Sequence, residues 1–161
     1  MRLRESVRAL ILDPDDCVLL VRFDWDGLDV EGGFWANPGG GVEPGEGETR
    51  LAALQRELRE ETGLIVDELG PEVWTKTALF PMTEWDGQVD HIHLYRTDRF
   101  VPTPAMSPSQ LQAEHIHGIS WWSSDDLTRD GATFAPRALP RLLAQLHRDG
   151  VPATPIVLSG F

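Results

Sequence analysis

The sequence predicts a single α/β (α+β) domain over residues 1–161, and three observations carry that reading. Short apolar runs of strand length alternate with turn residues; two longer segments have helical composition; and no repeat or linker divides the chain. A length of 161 residues fits one domain on the usual scale of roughly 100–200.

Val7–Leu12 and Val18–Val21 read as apolar strands, and Asp13-Pro14-Asp15-Asp16 between them is turn chemistry, so a hairpin is expected. Residues Asp24 to Gly33 are rich in Asp and Gly and read as a mobile loop carrying Trp25. Phe34-Trp35-Ala36-Asn37-Pro38 then leads into three glycines. From Thr49 to Thr62 the residues favour helix, and Gly63 stops the run. Trp74–Leu79 and Val89–Tyr95 are expected strands around a turn at Glu84-Trp85-Asp86-Gly87. Pro102, Pro104 and Pro108 mark an irregular stretch, Ile116–Trp122 a last strand, and Arg137–Arg148 an amphipathic helix.

Composition narrows the function classes. Hydrophobic residues make up 41% and charged residues 25%, which is globular rather than disordered. The lone Cys17 supports neither a disulfide framework nor a cysteine zinc site. No apolar run reaches membrane-spanning length, and Met1 to Ser6 leads into no signal-peptide core, so a cytoplasmic domain without a membrane partner is expected. The formal net charge of −12 argues against duplex nucleic acid as a partner. An anionic substrate stays open if a divalent metal supplies positive charge locally. The single lysine, Lys76, reads as genomic base composition rather than function.

The chemistry concentrates between Glu43 and Glu61, where Glu43, Glu46, Glu48, Glu57, Glu60 and Glu61 lie. Glu57, Glu60 and Glu61 stand at i, i+3 and i+4 and share one helix face over an arc of about 100°. Leu51, Leu54 and Leu58 fall on the neighbouring arc and dock the helix on a sheet. Carboxylates at that edge repel one another, and a hard cation such as Mg²⁺ or Mn²⁺ turns the repulsion into binding. A solvated acidic face paired with Arg56 and Arg59 is the plainer alternative. The run Pro38-Gly39-Gly40-Gly41 lets backbone approach a ligand, yet no Gly-Lys-Ser/Thr follows, so it is not a P-loop.

Gly40-Val42-Glu43-Pro44-Gly45-Glu46 and Arg56-Glu57-Leu58-Arg59-Glu60-Glu61-Thr62-Gly63-Leu64 closely resemble the signature of the Nudix (MutT-like) hydrolases. The second half matches at every specified position, whereas nine residues rather than seven separate Glu46 from Arg56. Two extra residues, a duplicated Gly-Glu in Gly45-Glu46-Gly47-Glu48, account for the difference and bulge the loop before the helix. Either Glu46 or Glu48 then takes the first acidic position. The flanking hairpin Val7–Val21, the entry Trp35–Gly40 and the closing Trp121–Leu127 are similar to the family as well.

The resemblance implies one Nudix hydrolase domain over 1–161, a mixed sheet between helices, and hydrolysis of a nucleoside diphosphate linked to another moiety. It implies Mg²⁺ or Mn²⁺ on Glu57, Glu60 and Glu61, with the backbone carbonyl of Gly39 or Gly40 as a further ligand. Arg56, with Glu46 or Glu48, is expected to orient the carboxylates. Glu114, in a loop before the Ile116 strand, is a candidate base beside Glu57 and Glu60, or a further metal ligand. Arg22 is expected to meet phosphate, and Trp25 and Phe80 to stack on a base, with Trp85 a further aromatic of that kind. The pairs His91/His93 and His115/His117 read as substrate-facing or sheet-surface residues rather than metal ligands. Pro81, 17 residues after Leu64, sits near where ADP-ribose-cleaving members carry a proline, which points the substrate toward an ADP-ribose type. A nucleotide-sensing module without turnover is the alternative, and a prenyl diphosphate isomerase ranks below it, since Cys17 lies in the first hairpin. Homodimerisation stays open.

Overall fold

The computed structural model describes residues 1–81 and 83–161. The expected hairpin forms as β1 (Leu3–Leu12) and β2 (Val18–Phe23), with Asp13 Oδ1 accepting from the Asp15 and Cys17 amides to set the turn. After the Asp- and Gly-rich loop come β3 (Phe34–Ala36) and β4 (Gly39–Gly41). The three glycines are thus a strand rather than an open loop, because Ser6, Val7 and Arg8 of β1 pair with Gly41, Gly40 and Gly39. At Gly39 only glycine fits: φ is +144° and a Cβ would stand 2.2 Å from the Val7 carbonyl.

A single 3-10 turn over Pro44–Glu46 absorbs the duplicated Gly-Glu and ends on Gly47 in the left-handed conformation. Helix α1 (Arg50–Glu61) follows, its first turn capped by the Thr49 hydroxyl, which accepts from the Ala52 amide at 3.1 Å. The remaining elements are β5 (Glu72–Leu79), β6 (Gly87–Arg96), α2 (Pro108–Ala113), β7 (Ile116–Trp122), α3 (Ser124–Arg129), β8 (Phe134–Ala135), α4 (Leu139–Asp149) and β9 (Ile156–Ser159). The stretch read as irregular around Pro108 therefore holds a short helix. Ser107 caps it, accepting from Gln110, and Pro108 suits its first turn, where no amide donor is needed.

Among the described residues the strands form one mixed sheet in the order β8-β3-β2-β1-β6-β5-β9, with β4 on β1 and β7 on β2. The parallel pairs are β1·β6, β3·β8 and β5·β9. Alternation along β1 divides two cores. Val7, Ala9 and Ile11 pack with Leu54 and Leu58 of α1, whereas Leu10 and Leu12 pack with Leu139, Leu142 and Leu146 of α4. The sheet thus lies between helices, as expected, and no described helix is long and apolar enough to cross a membrane.

Candidate active site

The end of α1 brings its carboxylates against β4. Glu61 is 3% exposed, and its Oε1 accepts the Gly39 amide at 3.0 Å. Burial, and the Glu57 carboxyl beside it, hold the Glu61 carboxyl well above the usual carboxylate range, against the pull of the Gly39 amide and Arg8. Glu57 lies against Gly40, where a Cβ would come within 2.5 Å of Glu57 Oε1. Glycine at that position is therefore what admits the carboxylate. Glu60 is more open, and burial followed by repulsion from Glu57 raises its pKa, with Glu114 adding to the effect. That coupling places Glu114, the exposed cap of α2, within electrostatic reach of the helix carboxylates.

Arg56 organises the corner. Its Nε and Nη2 donate to the two oxygens of Glu48 at 2.9 and 3.0 Å, its Nη1 to Glu57 Oε1 at 2.9 Å, and its Nη2 also to the Gly41 carbonyl at 3.2 Å. The fork of bonds from Arg56 pulls the Glu48 pKa down and raises that of Arg56. Glu48, not Glu46, is the glutamate joined to Arg56; Glu46 stands exposed in the 3-10 turn, since the extra pair displaces it. The Gly40 carbonyl accepts the Ser6 hydroxyl at 3.1 Å. Among the described residues no three His, Cys, Asp or Glu side chains converge as a ready-made cage, in keeping with Glu57 leaning on Arg56.

On the α4 side of the sheet a pocket of about 530 Å³ opens. Trp25 and Phe80 line it, together with Phe161, whose ring lies 5.7 Å from that of Phe80. Its floor is polar: Arg8, Lys76, Gln88 and Asp90. Lys76 faces Asp90 across the β5–β6 pair, and Ser6 faces Asp90 across β1–β6. Arg8 Nε donates to Asp90 Oδ1 at 3.2 Å and its Nη1 to the Asn37 carbonyl at 2.9 Å. Burial opposes the Asp90 charge, yet Arg8 and Lys76 outweigh it and hold its pKa below the ordinary value. Arg8 joins pocket and carboxylates, because its Cγ abuts Gly39 and its charge is felt by Glu61.

Sequence reasoning passed over Arg8, Lys76 and Asp90, although a cation inside the apolar run Val7–Leu12 was a usable signal. Lys76, set aside as base composition, is a buried pocket residue paired with an acid.

Other expected residues fall elsewhere. Arg22 is not at the pocket; it donates to the Gly32 and His117 carbonyls at 3.2 and 3.3 Å and lies 3.6 Å from Asp24. A strand-end cation beside a loop rich in exposed carbonyls is consumed in bracing that loop. His91 Nδ1 lies 2.8 Å from Glu72 Oε2, and His93 Nδ1 lies 2.7 Å from the Gly70 carbonyl, so these histidines hold sheet structure. His115 packs on Trp25 at 5.5 Å, and His117 Nε2 lies 3.0 Å from the Asp24 carbonyl. Trp85 takes Arg2 over its ring. Cys17 lies in the β1–β2 turn, beyond the end of β1 remote from β4.

The NUDIX domain family profile matches residues 2–142. The chain is 42% identical over 98 residues to a protein of Salmonella arizonae named nucleoside triphosphatase NudI, a match covering 58% of this chain and 64% of that protein. The E. coli ORF135 protein shares the fold at a TM-score of 0.60 and 28% identity, over 95% of this chain and 96% of that one. The NUDIX domain of Shewanella oneidensis NrtR, solved with ADP ribose, superposes at 0.65 with 16% identity, over 92% and 88%. The MutT protein of Methanosarcina mazei Go1 does so at 0.64 with 22% identity, over 94% and 97%. With the family profile spanning most of its length, the chain belongs to the NUDIX domain family.

Proposed function

We propose that the chain hydrolyses a phosphoanhydride bond of a nucleoside triphosphate, or of a nucleoside diphosphate linked to another group. The observation that carries this reading is the junction at Arg8, where a carboxylate corner and an aromatic pocket with a polar floor meet across one β-strand.

The donor set fits a divalent cation, Mg²⁺ or Mn²⁺. Glu57, Glu60, Glu61 and the Gly39 carbonyl offer hard oxygen atoms, and the buried repulsion between Glu57 and Glu61 is what a cation relieves. Such an ion, when bound, neutralises phosphate oxygens and makes a water acidic enough to attack at neutral pH. The chain supplies the remainder. Glu48 anchors Arg56, which holds Glu57. Arg8 offers positive charge to the phosphates beside Gly39. Glu114 takes a proton from the attacking water as general base, and Trp25 and Phe80 pack against the nucleoside ring. The name of the Salmonella relative supports a triphosphate; the NrtR structure makes ADP-ribose the comparison substrate.

The test is a panel of nucleoside triphosphates and ADP-ribose with Mg²⁺ and with Mn²⁺, reading released phosphate, pyrophosphate and mononucleotide. Turnover lost in Glu60→Gln supports the reading. Micromolar binding of a panel member with no cleavage of any would replace it with a nucleotide-sensing module.

A further inference from the structure

Aromatic pairs wall the pocket on two sides. Trp25 stands edge-on to Phe34 of β3, with ring centroids 5.9 Å apart, and Phe80 and Phe161, just past β5 and β9, lie 5.7 Å apart. In the sheet order β1 and β6, whose Arg8, Gln88 and Asp90 belong to the floor, run between β3 and β5 and so between the two walls.

Phe161 is the most exposed of the four rings, at 61%, yet its main chain is fixed. Strand β9 pairs with β5 as far as Ser159 opposite Thr77, and the Gly160 amide donates to the Thr77 carbonyl at 2.9 Å. The Phe161 carbonyl then accepts the Arg137 amide at 2.9 Å. Arg137 lies just past β8, and β8 and β9 are the outermost strands of the sheet order; six spacings of a flat sheet would set them about 29 Å apart. The sheet therefore curls around the pocket, and the Arg137–Phe161 bond closes the ring. An apolar side chain held at the mouth by its backbone, with most of its surface left to solvent, is organised for a flat ligand before the ligand arrives. Burial against it then costs little further ordering. A cavity of about 530 Å³ with such walls, joined to the carboxylate corner through Arg8, suits the base of a nucleotide whose phosphates lie beside Gly39.

We propose that Phe161 is a substrate-binding residue whose ring packs on the nucleobase, held in place by the bond to Arg137. Strand β9 and Phe161 lie beyond residue 142, where the family match ends, so the matched segment does not include this side of the wall. The inference rests on the nucleotide-hydrolase reading above and adds a residue to its substrate site.

The experiment measures kcat and KM for ATP and UTP with Mg²⁺ in the unaltered protein and in Phe161→Ala, Phe161→Leu and Phe161→Trp. Phe161→Ala should raise KM about 5- to 100-fold for both nucleotides, the range of one base–aromatic contact, since every base has a face to stack. Its kcat should stay within about twofold, because the ring meets the base and not the reacting phosphates. Phe161→Trp should return KM to within about threefold of the unaltered value, whereas Phe161→Leu, apolar but without a ring face, should remain further above it. An unchanged KM in Phe161→Ala overturns the proposal. So does a fall in kcat as large as the change in KM, which would make Phe161 part of the scaffold, and so does a Phe161→Leu protein that matches the unaltered one. If the unaltered protein cleaves neither nucleotide, the hydrolase reading fails for them, and metal-free calorimetry with ATP decides. Weaker binding in Phe161→Ala by the same factor sustains the contact, while equal or undetectable binding in both proteins ends it.

Discussion

Replacing Glu61 with Gln should stabilise the protein in EDTA and abolish its stabilisation by divalent metal. The glutamine oxygen can still accept the Gly39 amide, so the local geometry is kept while the charge beside Glu57 is removed. Two like charges 4 Å apart repel by about 4 kcal/mol at an effective dielectric near 20. Attraction to Arg8 and proton uptake by the pair offset much of that. A net gain of about 1–2 kcal/mol remains, or roughly 2–8 °C in Tm for a domain of this size. The unaltered protein should gain about 2.7 kcal/mol at a metal concentration near 100 times Kd. Circular-dichroism melts in EDTA and in saturating Mn²⁺ measure both effects. A Glu61→Gln protein that melts below the unaltered one in EDTA refutes the repulsion argument; one that keeps the full Mn²⁺ shift places the metal elsewhere.

Glu48→Ala should lower kcat/KM by about 10- to 100-fold, as loss of a partner that orients a metal ligand does, whereas Glu46→Ala should leave it nearly unchanged. Equal effects would show that the loop exchanges the two glutamates. Glu114→Gln should reduce kcat by about 10²–10⁴-fold with little change in Tm, since the side chain is exposed; a loss under threefold returns the base to Glu57 or Glu60. Asp90 has a folded pKa below its unfolded value of about 3.9, so its stabilising charge is fully present above that value and is lost as pH falls through the folded one. Asp90→Asn should therefore reduce stability at pH 7 and flatten its decline below pH ~4 in urea titrations; an unchanged acid limb would show that Asp90 does not contribute.

The acidic corner was legible in the chain because its information is local. A helix puts residues three and four apart on one face, so Glu57, Glu60 and Glu61 follow from spacing, and Leu54 and Leu58 dock them as expected. The hairpin and the α4 segment were legible for the same reason of periodicity. The strand character of Gly39–Gly41 was not, because three glycines have no preference of their own and β1 supplies the pairing. Nor could spacing choose between Glu46 and Glu48: the left-handed turn at Gly47 and the reach of Arg56 make that choice.

The pocket depended on tertiary structure throughout. Arg8, Lys76 and Asp90 come from three strands, and only the parallel register of β1 with β6 and the antiparallel register of β6 with β5 set them side by side. Phe161 reaches Phe80 beyond β9, a strand that pairs with β5 from the far end of the chain. Arg22 lies outside the pocket lining, where the Gly32 and His117 carbonyls accept its N–H groups, a pairing that only the folded loop creates. By itself the sequence determined where an acidic helix face lies, since helical period converts spacing into direction. What faces that corner across the sheet was decided by strand register, which joins residues whose separation along the chain carries no information about their distance in space.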